Sequence, residues 1–393
     1  MDKDTMYKVG LDVIYLASCA LDGRLPERNR LFQMDFHNVY IMSKRHSMQA
    51  IVYLSLSKAL GAYPDIEIDG ELHEKWKNEY QRMVAKLVKL GLERESLYAF
   101  LEEKGIWYVG LKGIVLSELY PTLGMRQMTD NDILVDPSRH AEIRDYFLSR
   151  GYSIYSYGTH CHDVYLKGNL TFEIHRMLAE DMGKLKAASK YYSNVKDRLI
   201  PDDKKMSLRF GDDDFYIYYI FHSYKHFVFA GCGLRTLMDI YVYNSKMAEK
   251  LDYDYIGREM RKIEVFEYES FSRRIADLIF GAHGEGIYSP ELLSEDEREL
   301  LLYYISSGTF GTDQIWIENR LADLSGGKKV TFIAKMRYLL DRLFPKYEFY
   351  KTGYPVASKF IVTIPVLWFI RLLRVFTKRK RIAREIKKVS RVK

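Results

Sequence analysis

The chain reads as an α+β protein in which a small mixed sheet is flanked by N-terminal and C-terminal helical regions. Three observations lead there. Apolar residues recur at three- and four-residue spacing over about the first ninety positions and again from Asp212 onward. Between these regions, short apolar runs of strand length are punctuated by Gly and Pro. The run Asp130-Asn131-Asp132-Ile133-Leu134-Val135 then turns abruptly from acidic to apolar, as a strand leaving a polar turn does.

Tyr7–Ala20 and Phe36–Leu60 read as helices, with Pro26 and Pro64 in the breaks. A further helix is expected over Leu72–Leu90 and a short one over Ser96–Lys104, ended by Gly105. Ile106–Leu111 is a strand, Ile114–Tyr120 a helix halted by Pro121, and Asp130–Asp136 a second strand. Pro137-Ser138 opens a helix over Arg139–Arg150, which Gly151 closes. His160–Lys167 and Leu170–Met177 form a hairpin about Gly168-Asn169, a pair suited to a type II′ turn. That register sets Glu173 opposite Val164 and His175 opposite His162, so that Glu173, His175 and His162 share one face. Phe215–Phe229, Leu234–Ala248 and Tyr253–Phe280 return to helical spacing, and Gly326-Gly327 marks a loop before a last helical segment. The expected organisation is a helical region at 1–92, a β-α-β-α-β-β core at 93–205, a helical domain at 206–350 and a tail at 351–393.

At 393 residues, 47% hydrophobic and 29% charged, the chain is globular and long enough for more than one core. Cys19, Cys161 and Cys232 lie far apart with no C-x-x-C pair, which excludes a disulfide framework and a zinc ribbon and fits a reducing, cytoplasmic setting. Asp12 interrupts the early apolar stretch, so a secretory signal is not expected. The net charge of +7 is a property of the tail. Lys378–Lys393 holds nine Lys/Arg against one Glu, and the rest sums to −1. A broad electrostatic footprint for nucleic acid is therefore missing. Phe360–Ile370 is uncharged but broken by Pro365, too short to span a bilayer. With Trp368 and the basic run behind it, it suits an interfacial segment on an anionic inner membrane face; a core helix with a frayed basic end has the same pattern.

Side chains at i and i+2 of a strand point the same way, so Asp130 and Asp132 stand together on one face. Such a pair can share divalent cations, and Glu173, on another strand, is placed to be a third acid. Gly110-Leu111-Lys112-Gly113 leads into a helix whose free N–H groups would face a phosphate, with Lys112 adding a charge. Neither G-x-x-x-x-G-K-[ST] nor G-x-G-x-x-G occurs, which excludes the common ATPase and dinucleotide loops. Arg126 suits a triphosphate clamp or an ion pair with a nearby acid. His160-Cys161-His162-Asp163 offers a histidine-based hydrolase metal site, though without a complete ligand set at a recognised spacing. His222/His226 and Arg235/Asp239 are i,i+4 pairs, the second read as an ordinary helix ion pair, while Lys225 and His226 are candidates to roof a nucleotide.

Taken together, Leu111-Lys112-Gly113, Tyr120-Pro121, Gly124-x-Arg126, Asp130-x-Asp132-x-Leu134-Val135 and Glu173-Ile174-His175 resemble the uncharacterised bacterial nucleotidyltransferase family of the polymerase-β-like superfamily. His222 to Asp239 is similar to the family's following helical region. The resemblance implies a small mixed-sheet nucleotidyltransferase core, with Asp130, Asp132 and Glu173 as catalytic acids and metal ligands for Mg²⁺ (or Mn²⁺). Lys112, Gly113, Arg126 and His175 are then expected to bind the nucleoside triphosphate, whose acceptor the resemblance does not supply. The chain departs from the superfamily with Lys-Gly in place of Gly-Ser, with Asn131 where an apolar residue is usual, and with Glu173 where Asp is common. The expected activity is nucleotidyl transfer; the rival is a catalytically degenerate fold acting as a scaffold at the membrane surface.

Overall fold

The structure, a computed structural model, describes residues 1–158, 160–180, 185–281, 290–309, 311–326, 329–344, 365–366, 368–369, 385–390 and 392. The N-terminal part is helical: α1 (Lys3–Asp22), α2 (Arg28–Leu31), α3 (Phe36–Arg45), α4 (Gln49–Ala62) and α5 (Gly70–Lys104). The core follows as β1 (Tyr108–Gly110), α6 (Gly113–Ser117), β2 (Asn131–Val135), α7 (His140–Ser149), β3 (Ser153–Ser156), β4 (His162–Lys167) and β5 (Leu170–His175). Then come α8 (Lys186–Tyr191), a ribbon of β6 (Leu199–Pro201) and β7 (Leu208–Phe210), α9 (Asp212–Phe229), α10 (Leu234–Met247), α11 (Tyr253–Lys262) and α12 (Phe266–Phe280). The last long elements are α13 (Glu295–Ser307), α14 (Asp313–Leu324) and α15 (Phe332–Leu343). The fold is α+β: a mixed sheet flanked by helices.

Periodicity located the helices but not their breaks. The single helix expected over Phe36–Leu60 is two, because Ser47 takes φ 52°, which a right-handed helix cannot carry. The one expected over Tyr253–Phe280 is also two, parted at Glu264 with φ 60°. Conversely, the helices expected over Leu72–Leu90 and Ser96–Lys104 are one continuous α5, capped by the Asp69 carboxylate and by Gly105 at φ 63°. Gly91 in its middle costs about 1 kcal/mol. Burial of Leu87, Leu90, Leu97 and Leu101 against the sheet outweighs that.

The five strands lie in the order β1-β2-β5-β4-β3. β1 runs antiparallel to β2, β2 parallel to β5, and β4 antiparallel to both β5 and β3. The hairpin has the expected register, with Glu173 opposite Val164 and His175 opposite His162, about a turn in which Gly168 alone has positive φ, at 59°. Edge strand β3 was not foreseen. Its Ser-Ile-Tyr-Ser is mostly exposed and shifts register at Ile154/Ser156, so no alternation marks it.

One sheet face packs Ile133, Val135, Tyr165, Phe172 and Ile174 against α5 and against Ile143 and Phe147 of α7. On the other face, Val109 and Leu134 join a large core shared by α1, α3 and α4 with α9 to α13. Where that second face carries polar residues, the core gives way to a cleft. No helix among the described residues is long and apolar enough to cross a membrane. The tail expectation on Phe360–Ile370 and Lys378–Lys393 falls largely outside the described residues.

Candidate active site

Strand pairing assembles the site from distant segments. Asp132 is the second residue of β2 and Asp130 lies just ahead of the strand. The parallel ladder sets Asp132 beside Glu173 and Leu134 beside His175, and the hairpin adds His162 beside His175. Asn131 points the other way, fully buried, where it donates to the Leu90 carbonyl at 3.0 Å and accepts from Arg94. A polar residue at that normally apolar position thus ties β2 to α5.

A cleft of about 270 Å³ separates this sheet face from α9 and α10. Its walls hold all seven residues singled out from the sequence: Lys112, Gly113, Arg126, Asp130, Asp132, Glu173 and His175. They also hold His162, His222, Lys225, His226 and Arg235. Asp132 Oδ1 accepts from Lys112 Nζ at 2.5 Å and faces His175 Nε2 at 2.9 Å. His162 Nε2 stands 3.6 Å and His175 Nε2 3.8 Å from Glu173 Oε2. Ligand atoms of His162, Glu173 and His175 lie within 4.8 Å of one another.

The acids press on each other electrostatically. Burial and the Asp132 charge raise Glu173 to about 8, and the same two causes raise Asp130. Burial opposes ionisation of Asp132 too, but Lys112 and the His175 hydrogen bond overcome it and hold that carboxyl below its usual range. Burial and the nearby Lys112 charge lower His175 to about 3, so its ring is neutral at pH 7 and donates through Nε2 to Asp132. His175 Nδ1 is buried without a hydrogen-bond partner among the described residues. Burial, then Lys112, lowers His162 to about 4.

Three sequence expectations change. Arg126 neither pairs with Asp130 or Asp132 nor stands free in the cleft. Its guanidinium grips Asp239 of α10 through Nε at 2.7 Å and Nη2 at 3.0 Å, with both side chains buried. Tyr120 and Tyr219 hydroxyls donate to the same carboxylate. Arg235, expected to pair with Asp239 along the helix, instead donates from Nη1 to the Gln127 carbonyl at 3.0 Å. Gly113 belongs to this arrangement, because a Cβ there would meet Arg126 Nη1 at 2.8 Å. The helix expected to present its N-terminus to a phosphate is the five-residue α6, too short for an effective dipole.

The His160-Cys161-His162-Asp163 metal site does not form, because alternation splits it. His162 faces the cleft, Asp163 is fully buried and accepts from the Gly158 N–H, and exposed His160 lies 3.2 Å from Glu180. Asp239 as the partner of Arg126 had no local signal, since they are 113 residues apart and Arg235 offered a nearer partner.

The donor set fits a divalent cation. Three carboxylates share one wall, burial and then the Asp132 charge push the other two up, and a single ammonium does not neutralise them. Among the described residues, the group whose ligand atoms lie close enough to share an ion is His162, Glu173 and His175; Asp130 and Asp132 line the same cleft.

A model of the family described as uncharacterised nucleotidyltransferase matches residues 33–281, more than half of the chain. That span runs from α3 to α12 and contains every cleft residue named above. No curated protein and no solved structure matches the chain. The chain belongs to the uncharacterised nucleotidyltransferase family.

Proposed function

We propose that this protein is a polymerase-β-like nucleotidyltransferase that moves a nucleoside monophosphate from an NTP to an acceptor, with Mg²⁺ (or Mn²⁺) as cofactor. One observation carries the reading: the parallel β2–β5 ladder sets Glu173 beside Asp132, on the cleft wall that also bears Asp130. Asp130, Asp132 and Glu173 would hold the cation, which when bound neutralises phosphate charge and lowers the pKa of an attacking hydroxyl. An acceptor oxygen then forms a bond to the α-phosphorus as the bond to pyrophosphate breaks. Glu173, whose carboxyl burial and the Asp132 charge push up to about 8, would serve as ligand or, once it has given up its own proton, as the base that takes the acceptor's. His175 and Lys112 keep Asp132 oriented and ionised.

The test is label transfer from α-labelled NTPs to species in a cell extract. Asp130→Asn and Glu173→Gln should each lower transfer by about 100-fold or more, the usual loss on removing one electrostatic contact to the reacting centre. Asp130→Asn should leave the thermal melt unchanged or slightly raised, since it relieves repulsion with Asp132. Full transfer by both variants would end the proposal.

The Lys112 ammonium, seated on the central carboxylate, favours a second reading: a degenerate fold that binds without transferring. Mg²⁺-dependent thermal stabilisation by an NTP, lost in Asp130→Asn, supports the enzyme. Flotation with anionic vesicles through the tail, without any nucleotide response, supports the scaffold. The membrane surface as a partner rests on tail composition alone.

A further inference from the structure

The helical wall of the cleft carries two cations that lack the anions such groups need. Lys225 of α9 lines the cleft beside the neutral pair His222 and His226, whose Nε2 atoms are 3.0 Å apart. Among the described residues the Lys225 ammonium has no hydrogen bond and no carboxylate within ion-pair distance. Burial and then the Lys112 charge both disfavour its protonated form. Arg235 of α10 spends one N–H on the Gln127 carbonyl and has no carboxylate in ion-pair range among the described residues. Burial and the adjacent Arg126 work against its charge as well.

Every other cation near the cleft is already engaged. Arg126 has its bidentate Asp239, and Lys112 sits on Asp132. Holding an unpaired ammonium and an under-paired guanidinium half-buried is unfavourable, and a fold keeps such groups where an anion arrives to pair with them. With Arg126–Asp239 and Lys112–Asp132 set aside as pairs, the remaining carboxylates of the cleft, Asp130 and Glu173, lie on the sheet wall and the remaining cations on the helix wall.

We infer that Lys225 and Arg235 bind the β- and γ-phosphates of the triphosphate, the part that leaves as pyrophosphate, in place of Lys112, Gly113 and Arg126. The inference rests on the nucleotidyl-transfer reading of the sheet wall and adds the polarity of the substrate across the cleft. The α-phosphorus lies toward the acids, and the leaving group lies toward α9 and α10. As the bond from the α-phosphorus to its bridging oxygen breaks, the negative charge left on pyrophosphate develops beside Lys225 and Arg235. Arg235 presents a planar fork suited to two phosphate oxygens, and Lys225 a point charge.

The test uses inorganic tripolyphosphate, which carries the phosphates without a nucleoside, titrated calorimetrically into the full chain with and without Mg²⁺. Lys225→Gln and Arg235→Gln should each weaken binding by about 10- to 100-fold, the worth of one charge-assisted contact to phosphate. Arg235→Lys should recover part of that loss. A second readout separates binding from architecture: Lys225→Gln should raise the thermal midpoint of the ligand-free protein and shrink the shift that tripolyphosphate produces, whereas a merely structural lysine would lower the midpoint. Wild-type protein that ignores tripolyphosphate, or folded variants that bind it like wild type, would overturn the inference. The two ideas fail separately. Tripolyphosphate binding lost in these variants without any label transfer leaves the cation wall standing and removes the enzyme. Label transfer with an unchanged KM for NTP in Lys225→Gln and Arg235→Gln leaves the enzyme and removes the wall.

Discussion

Lys112 occupies a backbone conformation, φ 43° and ψ −107°, that suits glycine. A side chain there costs about 1–3 kcal/mol of local strain. The return is the ammonium on Asp132, inside a patch where burial and like charge already raise Glu173 and Asp130. Breaking a buried pair of this kind costs about 3–5 kcal/mol, so the contact outweighs the strain. Lys112→Gly and Lys112→Met should both destabilise the protein in urea unfolding. The Met variant should fall lower by about 1 kcal/mol, because it loses the charge and keeps the strain. Added Mg²⁺ should restore part of the loss in each. Equal stability of the two variants would mean that the backbone there is not strained.

At the scale of elements, the buried Arg126–Asp239 pair is the ionic tie between the two walls of the cleft, beside the Arg235 bond to the Gln127 carbonyl. The loop ahead of β2 is tied to α10 by Arg126–Asp239, to α4 by Gln127 accepting from the Ala50 N–H at 3.0 Å, and to α5 by Lys86 donating to the Thr129 carbonyl at 2.8 Å. Asp239 also draws in the Tyr120 and Tyr219 hydroxyls, so four donor groups depend on one carboxylate. Asp239→Leu leaves a buried guanidinium unpaired and should cost about 3–5 kcal/mol. Combining it with Arg126→Met should return most of that stability, giving a large coupling energy in a double-mutant cycle. If the two changes add independently, the bridge does not hold the walls together.

Across the whole molecule, the N-terminal helices and the C-terminal helical region share one core, and a single imidazole joins three of their elements. Beyond the end of α3, His46 Nδ1 accepts from the Leu234 N–H at the start of α10 at 3.0 Å, and its Nε2 donates to the Ile305 carbonyl of α13 at 3.1 Å. Gly233 is glycine because a Cβ would meet His46 Nδ1 at 2.6 Å. The bond accepted at Nδ1 requires the neutral ring, and complete burial lowers its pKa from 6.5 to about 3. The folded value lies below the unfolded one, so the unfolded chain takes up this proton first. The contribution of His46 is therefore whole above about pH 6.5 and is lost as pH falls toward 3. His46→Gln keeps one acceptor and one donor without titrating. It should cost about 1 kcal/mol at pH 7 and flatten the pH dependence of stability between pH 6 and 4 by up to about 1.4 kcal/mol per unit. An unaltered slope in urea unfolding would show that His46 is not the group responsible.

Local pattern sufficed wherever the interaction partner lies close in sequence. The i,i+2 acids, the Gly168-Asn169 turn and the alternation of Phe172 and Ile174 with Glu173 and His175 set the hairpin register and the shared polar face, because strand geometry has a period of two. Helix boundaries at Ser47 and Glu264 escaped, since apolar spacing continues across a three-residue break between helices that bury the same core. Which charges pair, and which stay free for a ligand, was decided only by tertiary structure. Arg126, Arg235, Lys112 and Lys225 are equivalent cations in the sequence. Their roles divide because folding delivers Asp239 to the first, a backbone carbonyl to the second, Asp132 to the third and no described partner to the fourth. Electrostatic energy depends on separation in space and on exclusion of water, and the order of residues along the chain encodes neither by itself.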